Sequence, residues 1–403
     1  CRARATTTSA AVPSTNAVVI RQNGDHIVGG YASGAYIYVM EKRHLHRFVF
    51  GDDPLRDGGM FQISQRGCLN QRCFVLVGEQ TYMLDEQGVH SNDPNGGESV
   101  SEPIQEIFRP ESSSRWRINW RVRAHFFSVH FDAQDTIRWF VALAGSGRPR
   151  HALVYNYRQQ RWWIEEYPFP VCSSCTGQID GKPVVFVGSS GARVFVLGAG
   201  ALDGVEGMTT SGTVTSSGIQ TLTDSSAVFD GVALPGYSVT ITAGTGKGQR
   251  RIITAATSTA LTVLVPWTTA LDTTSQYQIG GIGFQWKSGV FRYAPAEKSN
   301  VRQLDLLGLS SADGFADLRL YIDRSATALK WGSTVNNQGI KTTRNNADAV
   351  LDLSRAEGDW QMRLDGLRQG NLDGPRFVEA ELSGVQGTDP VEFFELSLGG
   401  VTP

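Results

Sequence analysis

Hydrophobic and polar residues alternate in four places along this chain, and each time the alternation stops at glycine, crosses a short polar turn and resumes. The runs are His26-Ile27-Val28-Gly29-Gly30 into Ala35-Tyr36-Ile37-Tyr38-Val39, and Phe74-Val75-Leu76-Val77-Gly78 into Thr81-Tyr82-Met83-Leu84. The others are Phe140-Val141-Ala142-Leu143-Ala144-Gly145 into Ala152-Leu153-Val154-Tyr155, and Val184-Val185-Phe186-Val187-Gly188 into Val194-Phe195-Val196-Leu197. Alternation of this kind marks a strand with one buried face, and two such runs about a glycine turn mark a β-hairpin. The stop glycines Gly30, Gly78, Gly145 and Gly188 recur about 40–65 residues apart, the length class of a blade in a β-propeller. A lone hairpin cannot bury both faces, so repeated copies have to stack on one another.

The same pattern divides the chain. Residues 1–15 read as a tail or linker, and 16–204 as propeller-like blades. One helix is predicted where Ser101 caps Glu102-Pro103-Ile104-Gln105-Glu106-Ile107-Phe108, with Pro near the first turn and Pro110 beyond the end. From 205 to 280 the composition turns to Thr, Ser and Gly with little charge. Closely spaced runs such as Tyr237 to Thr242, Arg250 to Thr254 and Leu261 to Val265 read there as a small inserted β-domain. From 281 to 403, alternating strands at 301–309, 318–322, 349–353, 360–364, 377–382 and 393–398 read as a C-terminal β-rich region, a further blade or a sandwich. The expected fold class is all-β: a propeller-like main body of stacked antiparallel blades, an inserted small β-domain and a C-terminal β-rich region.

Composition narrows the function classes. The 403 residues include 45 glycines, and the net charge of −2 argues against a DNA-binding domain held by bulk charge. No run approaches the apolar length of a transmembrane helix, so stable membrane insertion is not expected. Five cysteines, an odd count, do not make a disulfide framework at this length and favour assembly inside a cell. The chain opens at Cys1 in a small polar stretch, without an initiator Met or signal peptide, which leaves room for a native segment before it.

Several segments offer chemistry. Gly244-Thr245-Gly246-Lys247-Gly248 has glycines and a lysine but not the spacing of a phosphate loop, and Gln249-Arg250-Arg251 opens a strand where that loop needs a helix; a hairpin turn is expected. Cys68, Cys73, Cys172 and Cys175 are the thiols that a zinc site would use, set against burial as small apolar residues. His44 and His46 fall on one face of a strand, but Lys42, Arg43 and Arg47 beside them oppose a cation, so no metal is assigned. In Arg115-Trp116-Arg117-Ile118-Asn119-Trp120-Arg121-Val122-Arg123, extended geometry puts Arg115, Arg117, Arg121 and Arg123 on one face and the aromatic residues on the other. That arginine face suits a neighbouring subunit's carboxylates or DNA phosphate, the former being favoured because the chain is not basic. The pairs Asp52-Asp53 and Glu165-Glu166 lie in no active-site frame, and the Ser-x-Asp-x-Gly-x-x-Trp boxes of sialidase-like propellers are absent. The expectation is no enzymatic activity and no cofactor.

A family resemblance enters through particular stretches. Gly67-Cys68-Leu69-Asn70 with Gly78 to Val89, Ser99 to Ile104, Ala152 to Tyr157 with Arg161-Trp162-Trp163 and Tyr167-Pro168-Phe169-Pro170, and Phe284 to Gly289 resemble the β-propeller proteins of bacteriophage tails, the nozzle or hub of short-tailed phages. Residues 243–253 are similar to small β-modules of phage structural proteins. The resemblance covers roughly 16–403, with the insert interrupting the propeller region. It implies a structural virion protein assembled in the bacterial cytoplasm. In that role the chain joins a homo-oligomeric ring, sixfold, around the DNA ejection channel, docked to other phage tail proteins and in non-specific contact with translocating DNA. The alternative is a host-surface glycan-binding adhesin whose receptor face is Trp267 and Tyr277 of the insert.

Overall fold

The computed structural model describes residues 25–49, 59–93, 96–112, 114, 116–198, 203, 208–289, 291–292, 300–311, 315–322, 342–345, 348–352, 357–365, 377–385 and 392–401. The predicted tail at 1–15, Arg115 and the Asp52-Asp53 pair lie outside them. The chain divides into two compact units, Cys1–Leu197 and Gly198–Pro403.

The first unit is a series of up-and-down meanders. β1 (Ile27–Ser33), β2 (Tyr36–Glu41), β3 (Leu45–Val49) and β4 (Gly59–Ser64) pair antiparallel in chain order. β5 (Phe74–Val77), β6 (Gln80–Asp85), β7 (Gly88–Asp93) and β8 (Gly96–Ser99) do the same, as do β9 (Phe127–Phe131), β10 (Thr136–Val141), β11 (His151–Asn156) and β12 (Arg161–Glu166). β13 (Val171–Ile179), β14 (Lys182–Ser189) and β15 (Val194–Leu197) make a three-stranded sheet. The opening strands adjoin in series, β5 beside β9 and β9 beside β13. Antiparallel sheets adjoining in series, the second to fourth through their first strands and the first beside the second through β4 and β8, make this body propeller-like.

Period-2 geometry explains the stacking. In the third blade, Ile137, Trp139 and Val141 of β10 share a face with Leu153 and Tyr155 of β11, and these pack into one core with Met83 and Leu84 of β6. The opposite face, with Phe140, Ala152 and Val154, forms a second core with Val185 and Val187 of β14. Both faces of this sheet are therefore covered. Two indoles fix it to the blade before it. Trp139 Nε1 donates to the Cys73 carbonyl at 3.2 Å, and Trp162 Nε1 donates to the Val100 carbonyl at 2.9 Å.

The repeated sequence pattern occupies different places in different blades. It is β1–β2 and β5–β6 in the first two, but β10–β11 and β14–β15 in the others, because β9 and β13 come first there. Gly78 and Gly145 turn with positive φ, as expected of stop glycines, at 61° and 87°. Gly30 and Gly188 do not turn: they sit inside β1 and β14, paired with Val39 and with Ser173 and Val194. The predicted helix forms as a 3-10 helix, Glu102–Phe108. Ser101 does not cap it. Its Oγ instead accepts the Val89 amide at 2.9 Å, tying the helix start to β7.

In the second unit, β16 (Ser211–Thr213), β17 (Ser216–Ser217), β18 (Thr221–Thr223), β19 (Ser238–Ala243), β20 (Arg250–Ala256), β21 (Ala260–Val263) and β22 (Gln276–Ile279) form a seven-stranded sheet ordered β16-β22-β19-β20-β21-β18-β17. The β19–β20 connection is the glycine turn 244–248; Gly244, Gly246 and Gly248 have positive φ, and a side chain at Gly244 would strike the Thr274 backbone. Beyond it, β23 (Gly283–Lys287), β24 (Phe291–Arg292), β26 (Phe315–Ile322), β27 (Thr342–Asn345), β28 (Asp348–Asp352) and β30 (Phe377–Val385) build one antiparallel sheet. β25 (Asn300–Ser311), between β29 (Glu357–Asp365) and β31 (Glu392–Val401), builds another. The protein is all-β, with a propeller-like main body, a small inserted β-domain and a C-terminal β-rich region.

Trp139→Ala is expected to destabilise the first unit by about 3–5 kcal/mol, the range for truncating a buried aromatic side chain. Trp139→Phe should cost only about 1 kcal/mol beyond its lost volume, because the Cys73 carbonyl keeps the Leu84 amide as a donor. Urea unfolding followed by tryptophan fluorescence measures both; equal losses in the two variants would show that the indole hydrogen bond, not packing, holds the blades.

Candidate functional site

The arginine stretch is not a strand. Ile118 makes an isolated bridge to Leu143, and Trp120–His125 is a 3-10 helix that starts where Asn119 Oδ1 accepts the Arg121 amide at 3.2 Å. Local capping by Asn119 wins over alternation, so the expected arginine face does not form. Arg117 donates to the Pro110 and Ser112 carbonyls at 2.9 and 3.0 Å and closes its own loop. Arg121 is exposed on the helix, and Arg123 makes an exposed ion pair with Glu86 at 3.5 Å.

Trp267 and Tyr277 are not a receptor face. They are 7% and 1% exposed and belong to the core of the insert. Tyr277 Oη donates to Asp224 Oδ2 at 2.8 Å, Trp267 Nε1 donates to the Thr221 carbonyl, and Arg251 lies over the Trp267 ring. A small Thr- and Ser-rich domain has few large apolar residues and uses its aromatics for its interior.

The four thiols do not converge. Cys68 and Cys73 are buried in the core of the blades, while Cys172 and Cys175 are exposed on β13. Burial pushes the Cys68 thiol up to about 12 and raises Cys73 well above its ordinary value, so both are neutral at physiological pH and poor metal ligands. Glu165 is structural. It takes a bidentate pair from Arg138 at 3.0 and 3.1 Å and a hydrogen bond from Tyr167 at 2.5 Å, between the third and fourth blades.

What the fold does bring together is a group of carboxylates and imidazoles on the first blade. The β2–β3 turn places Glu41 and His44 across from each other, with the Glu41 amide donating to the His44 carbonyl at 2.9 Å. The chain before β1 continues alongside this turn, so Asp25 accepts the amides of His26 and Arg43 at 2.9 and 2.7 Å. His44 Nδ1 is then 3.4 Å from both Asp25 Oδ2 and Glu41 Oε2, and His46 Nε2 is 3.1 Å from Glu41 Oε2. Glu41 and His46 are each 1% exposed. Burial works to raise the Asp25 carboxyl, but the two backbone amides and His44 outweigh it and hold its pKa below the ordinary value. Among the described residues, Asp25, Glu41 and His44 are the group of His, Cys, Asp and Glu side chains close enough to share a metal ion. Lys42 and Arg43 point to solvent, and Arg47 lies on the other face over the Tyr36 ring, so the basic residues that argued against a cation face elsewhere.

A second polar group lies on the second blade. Arg66 grips Asp85 through two bonds of 2.8 and 2.6 Å, and His90 Nδ1 is 3.7 Å from Asp85 Oδ2. That separation is within ion-pair range, yet burial pushes His90 down to about 4, with Asp85 pulling it up and Arg66 opposing. The imidazole is therefore neutral, and neither of its nitrogens nor the side-chain amide of Asn92 on the same face has a hydrogen-bond partner among the described residues.

No family model matches the chain. In sequence it is 27% identical over 154 residues to 1,4-alpha-glucan branching enzymes of Rhizobium radiobacter and Agrobacterium fabrum, a stretch that covers 38% of this chain and 20% of each enzyme. The chain thus spans about a fifth of the length of the curated relatives it matches. Among solved structures it is similar to a Bacillus subtilis glycoside hydrolase family 43 arabinoxylan arabinofuranohydrolase, at 11% identity and a TM-score of 0.22 over 91% of this chain and 96% of that one. It is also similar to Trypanosoma rangeli sialidase, at 8% identity and a TM-score of 0.24 over 87% of this chain and 65% of that one. These findings correct one expectation. The sequence reading excluded enzymatic activity, whereas the proteins found similar to the chain are carbohydrate-active enzymes, and the exclusion is withdrawn. TM-scores this low assign no reaction and transfer no residue.

His90 sets a pH prediction. Its folded pKa lies below the ordinary histidine value, so the unfolded chain takes up the proton first as pH falls. The stability contribution is full above about pH 6.5 and declines toward pH 4, by about 3 kcal/mol for a shift of this size. His90→Leu should flatten the difference in urea midpoint between pH 7 and pH 4.5 relative to wild type; an unchanged slope would show that His90 is not the group responsible.

Proposed function

We propose that the chain is a structural wall component of a bacteriophage tail, one copy of a ring that surrounds the path of ejected DNA and docks neighbouring tail proteins. The family resemblance suggests six copies. The observation that carries the reading is the state of the two end blades. On the first, Ile27 and Ile37 are 61% and 41% exposed on the face that also bears half-buried Val39 and Phe48. On the last, Val194 is 72% exposed beside half-buried Val184, Phe186 and Val196. The inner blades bury both faces, and an apolar sheet face at each end of such a series is a surface on which a further sheet fits. The mechanism is then passive: stacked sheets supply a stiff wall, and exposed Arg121 and Arg123 supply charge for carboxylates or phosphate at its surface.

Purified full-length protein should form ringed oligomers with a central hole in negative stain, with a matching mass by light scattering. Ile37→Asp together with Val194→Asp should abolish the rings while the melting temperature stays within a few degrees. Monomers at tens of micromolar would overturn the proposal. So would release of sugars from an α-glucan, an arabinoxylan or a sialylated glycan at enzymatic rates, which would move the chain to the class of its structural neighbours.

A further inference from the structure

The group on the first blade has a composition that asks for positive charge. It holds two carboxylates and two imidazoles, and among the described residues the ionic partners of Asp25 and Glu41 are histidines. Placing two carboxylates within 4.8 Å of each other with Glu41 fully buried is unfavourable unless a proton or a cation compensates them. His44 Nδ1 stands 3.4 Å from each carboxylate oxygen, within ion-pair range but longer than the usual ~2.9 Å of an N–H···O bond. The same separation is the edge of a tetrahedron whose corners lie about 2.1 Å from a central ion.

We propose that Asp25 Oδ2, Glu41 Oε2 and His44 Nδ1 form a binding site for a divalent transition-metal ion of the zinc class. One nitrogen and two carboxylate oxygens suit such an ion better than calcium or magnesium, which take oxygen ligands. Both carboxylates are oriented by another group. The amide of Arg43 donates to Asp25 Oδ2, leaving that oxygen's second lone pair for the ion. His46 Nε2 donates to Glu41 Oε2 in the same way and acts as an outer partner. His44 binds as the neutral imidazole, so the ion replaces the proton on Nδ1 and that proton leaves to solvent. Three protein ligands leave a fourth position for water. The ion would fasten the segment before β1 to the β2–β3 turn, so binding stabilises the first blade by mass action. The site is independent of the proposed ring function.

The test uses tag-free full-length protein dialysed against Zn2+, with metal content measured by mass spectrometry, and the visible spectrum of the Co2+-substituted protein. Wild type should hold one Zn2+ per chain, and its melting temperature should rise on Zn2+ addition. Asp25→Asn and His44→Ala should each lower affinity at least tenfold and remove the thermal shift, while His46→Gln should weaken binding about tenfold without abolishing it. Cys172→Ser with Cys175→Ser should bind as wild type does. Substoichiometric Zn2+ in wild type would overturn the proposal. A Co2+ spectrum dominated by thiolate charge transfer would do the same, since it would put the metal on the exposed cysteines, as would unchanged binding in both Asp25→Asn and His44→Ala. If His44→Ala fails to fold, Asp25→Asn and the wild-type Co2+ spectrum decide the matter.

Discussion

A β-sheet of four strands has two faces and only one sequence with which to cover them, and this constraint governs the first unit. Stacking solves it by letting each blade's neighbour act as its core. The third blade shows the solution at its fullest. Trp139 and Trp162 bury their rings against the second blade and spend their N–H groups on backbone carbonyls at both ends of that blade, Cys73 before β5 and Val100 after β8. An indole is suited to this position because it brings a large apolar area and one donor whose direction is fixed. The contact therefore specifies register between blades as well as attraction. Its counterpart on the other face is polar: Arg138, Glu165 and Tyr167 form a closed network in which every charged group has partners, the condition under which such a network is tolerated between packed sheets.

The same constraint explains why strands were legible in the sequence and their grouping was not. Alternation depends only on one face being buried, so all four hairpins, most strands of the insert and the long C-terminal strands are visible as runs of apolar residues. Which hairpin opens a blade depends on whether an extra strand precedes it. β13, Val171–Ile179, carries Cys, Ser, Thr and Gly on a largely exposed surface and gives no apolar run. β9, Phe127–Phe131, does alternate Phe127, Val129 and Phe131 with Ser128 and His130, but has no glycine stop between it and β10 to mark it as half of a hairpin. Glycine was an equally mixed signal. Gly78 and Gly145 turn, whereas Gly30 lies mid-strand, where a side chain would press on the Tyr38 carbonyl. A glycine stop in a sequence marks either a turn or a close approach, and only the fold distinguishes them.

The candidate sites were harder to read for a related reason. Alternation in 115–123 was genuine, but Asn119 offered its side chain as a cap, and a short helix replaced the strand. Trp267 and Tyr277 looked exposed because their neighbours are polar, yet a domain of Thr and Ser must draw its core from whatever large residues it has. The carboxylate–imidazole group was half visible: Glu41, His44 and His46 fall within six residues, although the sequence places His44 and His46 on one strand and the structure puts a turn between Glu41 and Leu45. Asp25 was not, since it reaches the group only because the ladder between β1 and β2 continues past Ile27, with the Lys42 amide donating to the His26 carbonyl. Spacing along the chain reveals ligands from one turn and misses those delivered across a sheet.

These elements bear on one another at the first blade. Its inner face is anchored by the stack: Tyr31 lies against Tyr38 and Phe74, and its hydroxyl accepts a hydrogen bond from Thr81 of the second blade. Its outer face carries Ile27, Ile37 and the buried ends of Glu41 and His46. An edge blade with an apolar outer face is the least supported member of a stack, because the neighbour that would complete its core is not supplied by the next sheet in the chain. The carboxylate–imidazole group sits at the turn end of that blade, where Met40, Glu41, Leu45 and His46 are buried, and it leaves the apolar surface of Ile27 and Ile37 uncovered. The polar group thus ties the segment before β1 to the buried turn, while the shortage of buried area is confined to the open face around Ile27 and Ile37.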